Sequence, residues 1–135
     1  MASTMTMQKL TPVIPVEEIE PCLAFWTERL GFTKRVEVPE GSKLAFVILA
    51  KDGVEVMYQS RASLEKDVPA AAQGVGQTGT ALFIEVKGLD EIIARLKGLE
   101  VVVPERKTFY GAREFGVREP GGSVVVFAEF GEQPQ

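Results

Sequence analysis

One short apolar run, one amphipathic helix and a set of β-type runs occur in that order twice along this chain of 135 residues. The two helical stripes begin at Ile19 and Leu89, and the strands before them carry Val16 and Val86. Both pairs are therefore 70 residues apart (89 − 19 and 86 − 16). Neither half can cover both faces of its own sheet, so the halves must complete a common layer. The repeat predicts an α+β fold of two βαβββ modules, with a cupped mixed sheet inside and helices on its outer face.

The first helix has the clearest pattern in the chain. Its apolar residues recur at i, i+4, i+7 and i+11, Glu17-Glu18 opens it, and Gly31 ends it. The stripe is made of Ile19, Leu23, Trp26 and Leu30. A second amphipathic helix, with its own apolar stripe, is predicted from Leu89 to Leu96. Cys22 lies beside the first stripe without a base near it in sequence, which favours a small filler of the helix over a nucleophile.

The β-type runs carry turn residues between them, including Asp52-Gly53, a strong hairpin signal. The expected extended segments are 11–16, 34–38, 44–50, 54–59, 81–87, 101–103, about 107–110, 113–118 and 123–130. We expect a flexible leader at 1–8 and a single domain at 9–131. Its modules cover 9–60 and 80–131, and a glycine-rich connection at 61–79 holds one helical turn at 62–66.

The amino-acid composition limits the kinds of molecule that this chain can bind. The net charge of −4 offers no basic stripe for nucleic acid and no attraction to an anionic membrane. No stretch has the apolar length of a membrane span. The single cysteine excludes an internal disulfide, which suits a reducing cytoplasm. The chain has no histidine, and it therefore lacks the commonest metal ligand and the usual general base near neutral pH.

Three motifs together resemble one family. An aromatic pair precedes a leucine-glycine-aromatic stop at the end of the first helix, a Gly-Leu-Asp-Glu start opens the second, and a Glu-Pro-Gly-Gly turn lies in the closing hairpin. In order, they are residues 25–32, 88–91 and 110–122. They resemble the glyoxalase, bleomycin-resistance and extradiol-dioxygenase (vicinal oxygen chelate) superfamily, and its bleomycin-resistance branch in particular. The resemblance runs from about Leu10 to Glu129, and Glu119 replaces the usual Asp.

The resemblance also implies where a metal would lie. The four metal-ligating positions of the family's enzymes fall near Thr11, Met57, Ala81 and Val126. Three apolar side chains and a threonine cannot supply the donors that divalent metals need. We therefore expect no metal and no cofactor. The bleomycin-resistance branch binds a drug without transforming it and builds its grooves at a dimer interface, often exchanging the first strand, which implies a homodimer.

Period 2 along the strands selects the side chains that face the cup. If Ala81 faces inward, so do Phe83 and Glu85, while Leu82, Ile84 and Val86 pack under the second helix. The candidate ligand-binding residues are Phe46, Glu55, Met57, Phe83, Glu85, Tyr110 and Arg113, and none is assigned as catalytic. The glutamates either contact a cationic ligand or lie in an open, wet cup where Arg113 pairs with one of them. Each aromatic ring is either a groove wall or ordinary packing.

Two classes of function follow. In the first, the dimer's grooves sequester a bulky, partly cationic small molecule such as a bleomycin-type antibiotic, and no bond is made or broken. In the second, the cup is an acid/base pocket in which Glu55 or Glu85 is the base and Tyr110 or Arg113 steadies an oxyanion. The second class needs a carboxylate with a raised pKa. The missing metal ligands favour binding over catalysis.

Overall fold

A computed structural model describes Met5, residues 7–74 and residues 80–131. Most of the expected leader and residues 75–79 of the connection lie outside the described residues. The strands are β1 (Val13–Val16), β2 (Thr33–Glu40), β3 (Lys43–Lys51), β4 (Val54–Ser60), β5 (Ala81–Glu85), β6 (Val101–Lys107), β7 (Ala112–Arg118) and β8 (Val124–Phe130). The helices are α1 (Glu20–Ala24), α2 (Arg61–Asp67), α3 (Pro69–Gly74) and α4 (Leu89–Arg95).

The strands form two four-stranded mixed sheets with the same topology. The N-terminal module (β1, α1, β2–β4) has the order β1-β4-β3-β2, and the C-terminal module (β5, α4, β6–β8) has the order β5-β8-β7-β6. In each, the first strand pairs in parallel with the last, and the other pairs are antiparallel. This confirms the predicted α+β fold of two βαβββ modules. Each sheet has its own hydrogen-bond ladder, so the common layer is formed by packing.

The first helix differs from the predicted regular stripe. α1 begins at Glu20, later than Glu17-Glu18, and continues as a π-helical turn over Phe25–Arg29. The wider turn allows the neighbouring Phe25 and Trp26 both to enter the core, with ring centroids 5.0 Å apart. As a result, Cys22 and Phe25 are fully buried, whereas Leu23 and Leu30 of the predicted stripe are only partly buried.

One apolar core joins the two modules, and a buried hydrogen-bond chain crosses it. The indole Nε1 of Trp26 donates to Tyr58 Oη at 2.9 Å, and this hydroxyl donates to Glu119 Oε2 at 2.7 Å. The other carboxylate oxygen accepts from the backbone N–H of Ser123 at 2.6 Å. Glu119 is 1% exposed. The chain therefore ties the first helix and β4 to the turn before β8 in the other module.

The turn at residues 119–122 packs directly on the first helix. A Cβ added at Gly121 would lie 2.7 Å from Cys22 Sγ, so only glycine fits this contact. Burial raises the pKa of the Cys22 thiol to about 12, and the charge of Glu119 raises it further. The thiol is therefore protonated at neutral pH, in agreement with the interpretation of Cys22 as a filler of the helix.

Two irregular segments depart from the predictions. The connection holds two helices, α2 and α3, where one turn was expected, and Ser60 Oγ caps α2 by accepting from Ser63 N at 3.1 Å. The segment expected to be extended at about 107–110 instead leaves β6 at Lys107 and turns, with Gly111 at a φ of 89°. In the described part of the chain, no helix has the length and apolar character to cross a membrane.

We expect Tyr58→Phe to destabilise the protein by about 1–3 kcal/mol, because a buried indole N–H and a buried carboxylate oxygen each lose a partner. Urea unfolding at pH 7 measures the change. The control is Thr33→Val, which removes an exposed hydroxyl whose hydrogen bond to the Ala50 carbonyl, at 3.2 Å, water can replace. Equal losses from both substitutions would contradict a special role for the chain that crosses the core.

Candidate functional site

Each sheet has one face on the core and one face turned away from it. Val47, Leu49 and Tyr58 on the N-terminal sheet, and Phe115 and Val125 on the C-terminal sheet, belong to the core. The alternate residues form the opposite faces, which we call the N-terminal and C-terminal cup faces. On the N-terminal cup face the strand registers bring together Thr11, Val13, Val36, Val38, Phe46, Ile48, Glu55, Met57 and Gln59.

The C-terminal cup face has two parallel rows that cross its four strands. The apolar row contains Phe83, Val126, Gly116 and Val103. The charged row lies beside it and contains Glu85, Ala128, Glu114 and Arg106. The predicted inward direction of Phe83 and Glu85 agrees with these registers. Leu82, Ile84 and Val86 pack against the core, as predicted.

Both cup faces are open and largely apolar. Phe83 is 55% exposed, and Val13, Val36 and Val38 are each more than 40% exposed. Met57 and Phe46 are partly exposed on the N-terminal cup face. A contiguous apolar surface of this kind on a folded chain marks a place where a ligand or another protein binds.

Glu55 is already neutralised. Its carboxylate accepts from Thr11 Oγ1 at 3.0 Å and forms ion pairs with Lys9 and Arg35, both at 2.9 Å. The hydrogen bond from Lys9 is the main reason that the pKa of Glu55 lies below its usual value, with contributions from Thr11 and Arg35. The side chain therefore holds its charge against local cations. It is a poor general base, and its charge is not free for a ligand.

Glu85 has the opposite situation. It is exposed on the C-terminal cup face, next to Phe83 along β5. Within the described residues, no cation or hydrogen-bond donor reaches its carboxylate. Of the two glutamates identified from the sequence, only Glu85 presents an available negative charge beside an aromatic ring.

Glu114 is a cup-face carboxylate that the sequence analysis missed. It is 1% exposed, and its Oε1 accepts from Arg106 Nε and Nη2 at 3.1 and 2.9 Å. Its Oε2 accepts from Tyr110 Oη. The Tyr110 hydrogen bond, followed by Arg106, lowers the pKa of Glu114, and the same contact raises the pKa of Tyr110. Period 2 counted back from the apolar Phe115 and Val117 would have found it.

Arg113 does not lie with the other candidates. Because Phe115 faces the core, the side chain of Arg113 shares the helix side of the sheet. There it pairs with Asp90 of α4 at 2.8 Å and with Glu105. These two hydrogen bonds raise the pKa of the guanidinium. The expectation that Arg113 pairs with Glu55 or Glu85 is wrong, since neither contacts it.

A shallow, open depression of about 480 Å³ lies where the N-terminal cup face meets α2. Phe46 and Gln59 line it, and Gln59 Nε2 donates to Ser63 Oγ at 3.1 Å. Lys66 of α2 pairs with Glu40 of β2 at 3.3 Å at its rim. The connection between the modules therefore contributes residues to this depression.

The four positions implied for a metal do not fit one. Thr11 and Met57 lie on the N-terminal cup face, and Ala81 and Val126 lie on the C-terminal cup face. None carries a carboxylate, imidazole or thiolate donor. Among the residues that the structure describes, no group of three His, Cys, Asp or Glu side chains is arranged to hold a metal ion.

The chain is similar to known proteins over most of its length. The family model of the glyoxalase/bleomycin resistance protein/dioxygenase superfamily matches residues 8–127. A bleomycin resistance protein from Geobacillus stearothermophilus is 25% identical over 132 residues, covering 90% of this chain and 96% of its own length. A bleomycin resistance protein from Staphylococcus aureus gives the same values.

Two solved structures are similar in fold. One is the bleomycin-binding protein of bleomycin-producing Streptomyces verticillus, complexed with copper(II)-bleomycin. It has a TM-score of 0.62 and 20% identity, and the match covers 96% of this chain and 100% of that one. The other is a lactoylglutathione lyase from Agrobacterium tumefaciens, with a TM-score of 0.72, 13% identity and coverage of 93% and 95%. A binding protein and an enzyme thus share this fold, and the site must discriminate between them.

We expect Glu114→Gln to cost more stability at pH 7 than at pH 3. The folded pKa of Glu114 is depressed, so its contribution is present above the unfolded value of about 4.3 and is lost as pH falls through the folded pKa. Urea unfolding of both proteins at the two pH values measures this. If the free energies of unfolding of the wild type and Glu114→Gln differ by the same amount at pH 7 and pH 3, Glu114 does not stabilise the protein through its charge. The control is Glu28→Gln, a substitution at an exposed position outside both cup faces.

Proposed function

We propose that this chain, which belongs to the glyoxalase/bleomycin resistance protein/dioxygenase superfamily, is a metal-free binding protein that sequesters a bulky, partly cationic small molecule. The observation that carries the proposal is the C-terminal cup face, where the exposed ring of Phe83 lies beside the unneutralised carboxylate of Glu85. An aromatic face and a nearby negative charge suit a ligand that is both flat and cationic. The similarity to bleomycin resistance proteins supports an antibiotic of that type as the ligand.

The charges on the cup faces revise the candidate site. Glu55 is compensated by Lys9 and Arg35, so we assign the cationic contact to Glu85 alone. The proposed contacts are Phe46 and Met57 on the N-terminal cup face, and Phe83, Glu85 and Tyr110 on the C-terminal cup face. Glu55 and Arg113 leave the set, because local partners already occupy both.

We propose that the ligand groove is completed by a second copy of the chain. Lys9, Arg35 and Glu55 give the N-terminal cup face a net charge of about +1, whereas Glu85, Glu114 and Arg106 give the C-terminal charged row about −1. The N-terminal cup face of one copy and the C-terminal cup face of another are thus complementary in charge and both apolar. A homodimer with this pairing would cover four exposed sheet faces and enclose two grooves between them.

The pKa directions argue against the enzyme alternative. An acid/base pocket at neutral pH needs a carboxylate whose pKa is raised. The pKa of Glu55 is lowered by Lys9, Thr11 and Arg35, and Glu85, the other proposed base, is exposed on an open face rather than enclosed in a pocket that excludes water. The pKa of Glu114 is also lowered, by Tyr110 and Arg106. The hydroxyl of Tyr110 is committed to Glu114, and Arg113 lies on the other side of the sheet.

We expect calorimetry with bleomycin, both metal-free and copper-bound, to show binding at tens of micromolar. Phe83→Ala should weaken it by about 1–2 kcal/mol, because the ring is a groove wall. Binding should persist after dialysis of the protein against EDTA, since no metal takes part. Absence of heat with both forms would rule out sequestration of this drug.

The matched control is Phe83→Leu, which keeps much of the apolar area but removes the aromatic face. We expect it to lie between the wild type and Phe83→Ala. If folding is intact and affinity is unchanged in both variants, Phe83 has no part in a groove.

We expect light scattering to give twice the mass of one chain at micromolar concentration. Val36→Glu should shift the mass toward that of one chain, because it places a charge on the exposed apolar part of the N-terminal cup face. The control is Val68→Glu, at an equally exposed position on the connection. A monomer mass for the wild type would contradict the composite groove.

A further inference from the structure

We propose that Arg106 is an anion subsite of the C-terminal cup face, and that the ligand carries a carboxylate attached to a planar ring. This inference rests on the proposed function, because it assumes that the cup face binds a small molecule. It adds a second charge to that ligand. The cationic portion meets Glu85 at one end of the charged row, and the carboxylate meets Arg106 at the other.

The guanidinium of Arg106 is held on one edge by Glu114, and the rest of the group is accessible to solvent. It gives Nε and Nη2 to a single oxygen of Glu114, at 3.1 and 2.9 Å. In the described part of the chain, no acceptor engages Nη1. The side chain is 59% exposed, whereas that of Glu114 is 1% exposed. An arginine held in this way offers a preorganised planar donor edge, which is the geometry that a carboxylate accepts best.

Glu114 acts on the subsite through Arg106 and is a positioning residue. Its second oxygen is held by Tyr110 Oη, so the carboxylate cannot rotate away from the guanidinium. The low pKa of Glu114 keeps it charged at neutral pH. The pair is electrically balanced, and Arg106 therefore recognises an anion mainly by directed hydrogen bonds.

The net charge around Arg106 determines which class of anion can bind there. With Glu85 included, the charged row has a net charge of about −1. A dianionic phosphate would be repelled by this field, whereas a carboxylate brings one charge and a planar pair of acceptors. The proposed class is therefore a ring carboxylate.

The apolar row supplies a floor for the ring. A Cβ added at Gly116 would lie 3.1 Å from Val103 and 3.2 Å from Val126, so these two valines close over the glycine and leave a flat apolar surface. Arg106 lies opposite Glu114, two residues along β7 from Gly116, so it is a diagonal neighbour of the glycine in the adjacent row, and a carboxylate at the edge of a ring on this floor is directed to it. Glu85 lies three strand spacings from Arg106, about 14 Å away, which suits a bulky ligand with opposite charges at its two ends.

Three naphthalene probes test the subsite by calorimetry: 2-naphthoate, the neutral 2-naphthalenemethanol and the cationic 2-naphthylmethylamine. Naphthoate should bind the wild type about tenfold more tightly than the alcohol. Arg106→Gln should remove this preference and leave the affinity for the alcohol unchanged. The control Arg113→Gln deletes an arginine from the opposite side of the sheet and should keep the preference.

The Glu114→Gln variant tests whether Glu114 orients Arg106 or only repels anions through its charge. If Glu114 only repels anions, its neutralisation should strengthen naphthoate binding. If it positions Arg106, naphthoate binding should weaken while the affinity for the alcohol stays the same, and unchanged alcohol binding also shows that the cup is folded. Stronger naphthoate binding would overturn the positioning role.

The probes also distinguish the two proposals. If none of the three binds at millimolar concentration, the cup face is not a ligand site, and the proposed function fails together with the subsite. If the alcohol and the amine bind but naphthoate binds no better than the alcohol, only the subsite fails. The subsite also fails if Arg106→Gln leaves the preference for naphthoate intact.

Discussion

The hydrogen-bond chain from Trp26 through Tyr58 to Glu119 fixes how the two modules meet. A buried carboxylate is costly unless donors satisfy it, and here one hydroxyl and one backbone N–H do so within a region closed to solvent. Those donors come from both modules, so the network is complete only in one relative arrangement. In that arrangement the two sheets turn their other faces outward. The open cup faces, and any groove built on them, depend on this contact.

The repeat places equivalent surfaces on the two modules, but the charged side chains on those two surfaces are paired differently. On the N-terminal cup face, two cations meet one carboxylate and leave no free acceptor. On the other cup face, one carboxylate is sealed under an arginine and a tyrosine, and Glu85 remains available. Both arrangements hold carboxylates in the charged form, which favours recognition over proton transfer. A fold that is also found in a lactoylglutathione lyase thus carries, in this chain, cup-face carboxylates whose charge is held by neighbouring cations and hydroxyls.

The sequence predicts the fold well because its signals are local and repeated. Turn glycines, alternation and two helical stripes specify the order of elements, and period 2 places Phe83 and Glu85 on the correct face. It misplaces Arg113, because the alternation along β7 was not counted from Phe115 and Val117, whose core positions put Arg113 on the same side. It also misses the neutralisation of Glu55, since Lys9 and Arg35 are 46 and 20 residues away and reach it only in the folded sheet. The π-helical turn escapes a search that assumes 3.6 residues per turn.

The parallel pairing of the first strand with the last in each sheet has a consequence for folding kinetics. Val13 lies opposite Met57, and Phe83 lies opposite Val126, so each module closes only after a loop of more than 40 residues has come together. The hairpins between them form over much shorter separations. Loop closure of this kind costs chain entropy before it gains contacts, and chains rich in such pairings have high contact order and fold slowly. We therefore expect the short β1 and β5 to dock late in folding, because their parallel pairings close the longest loops within each module.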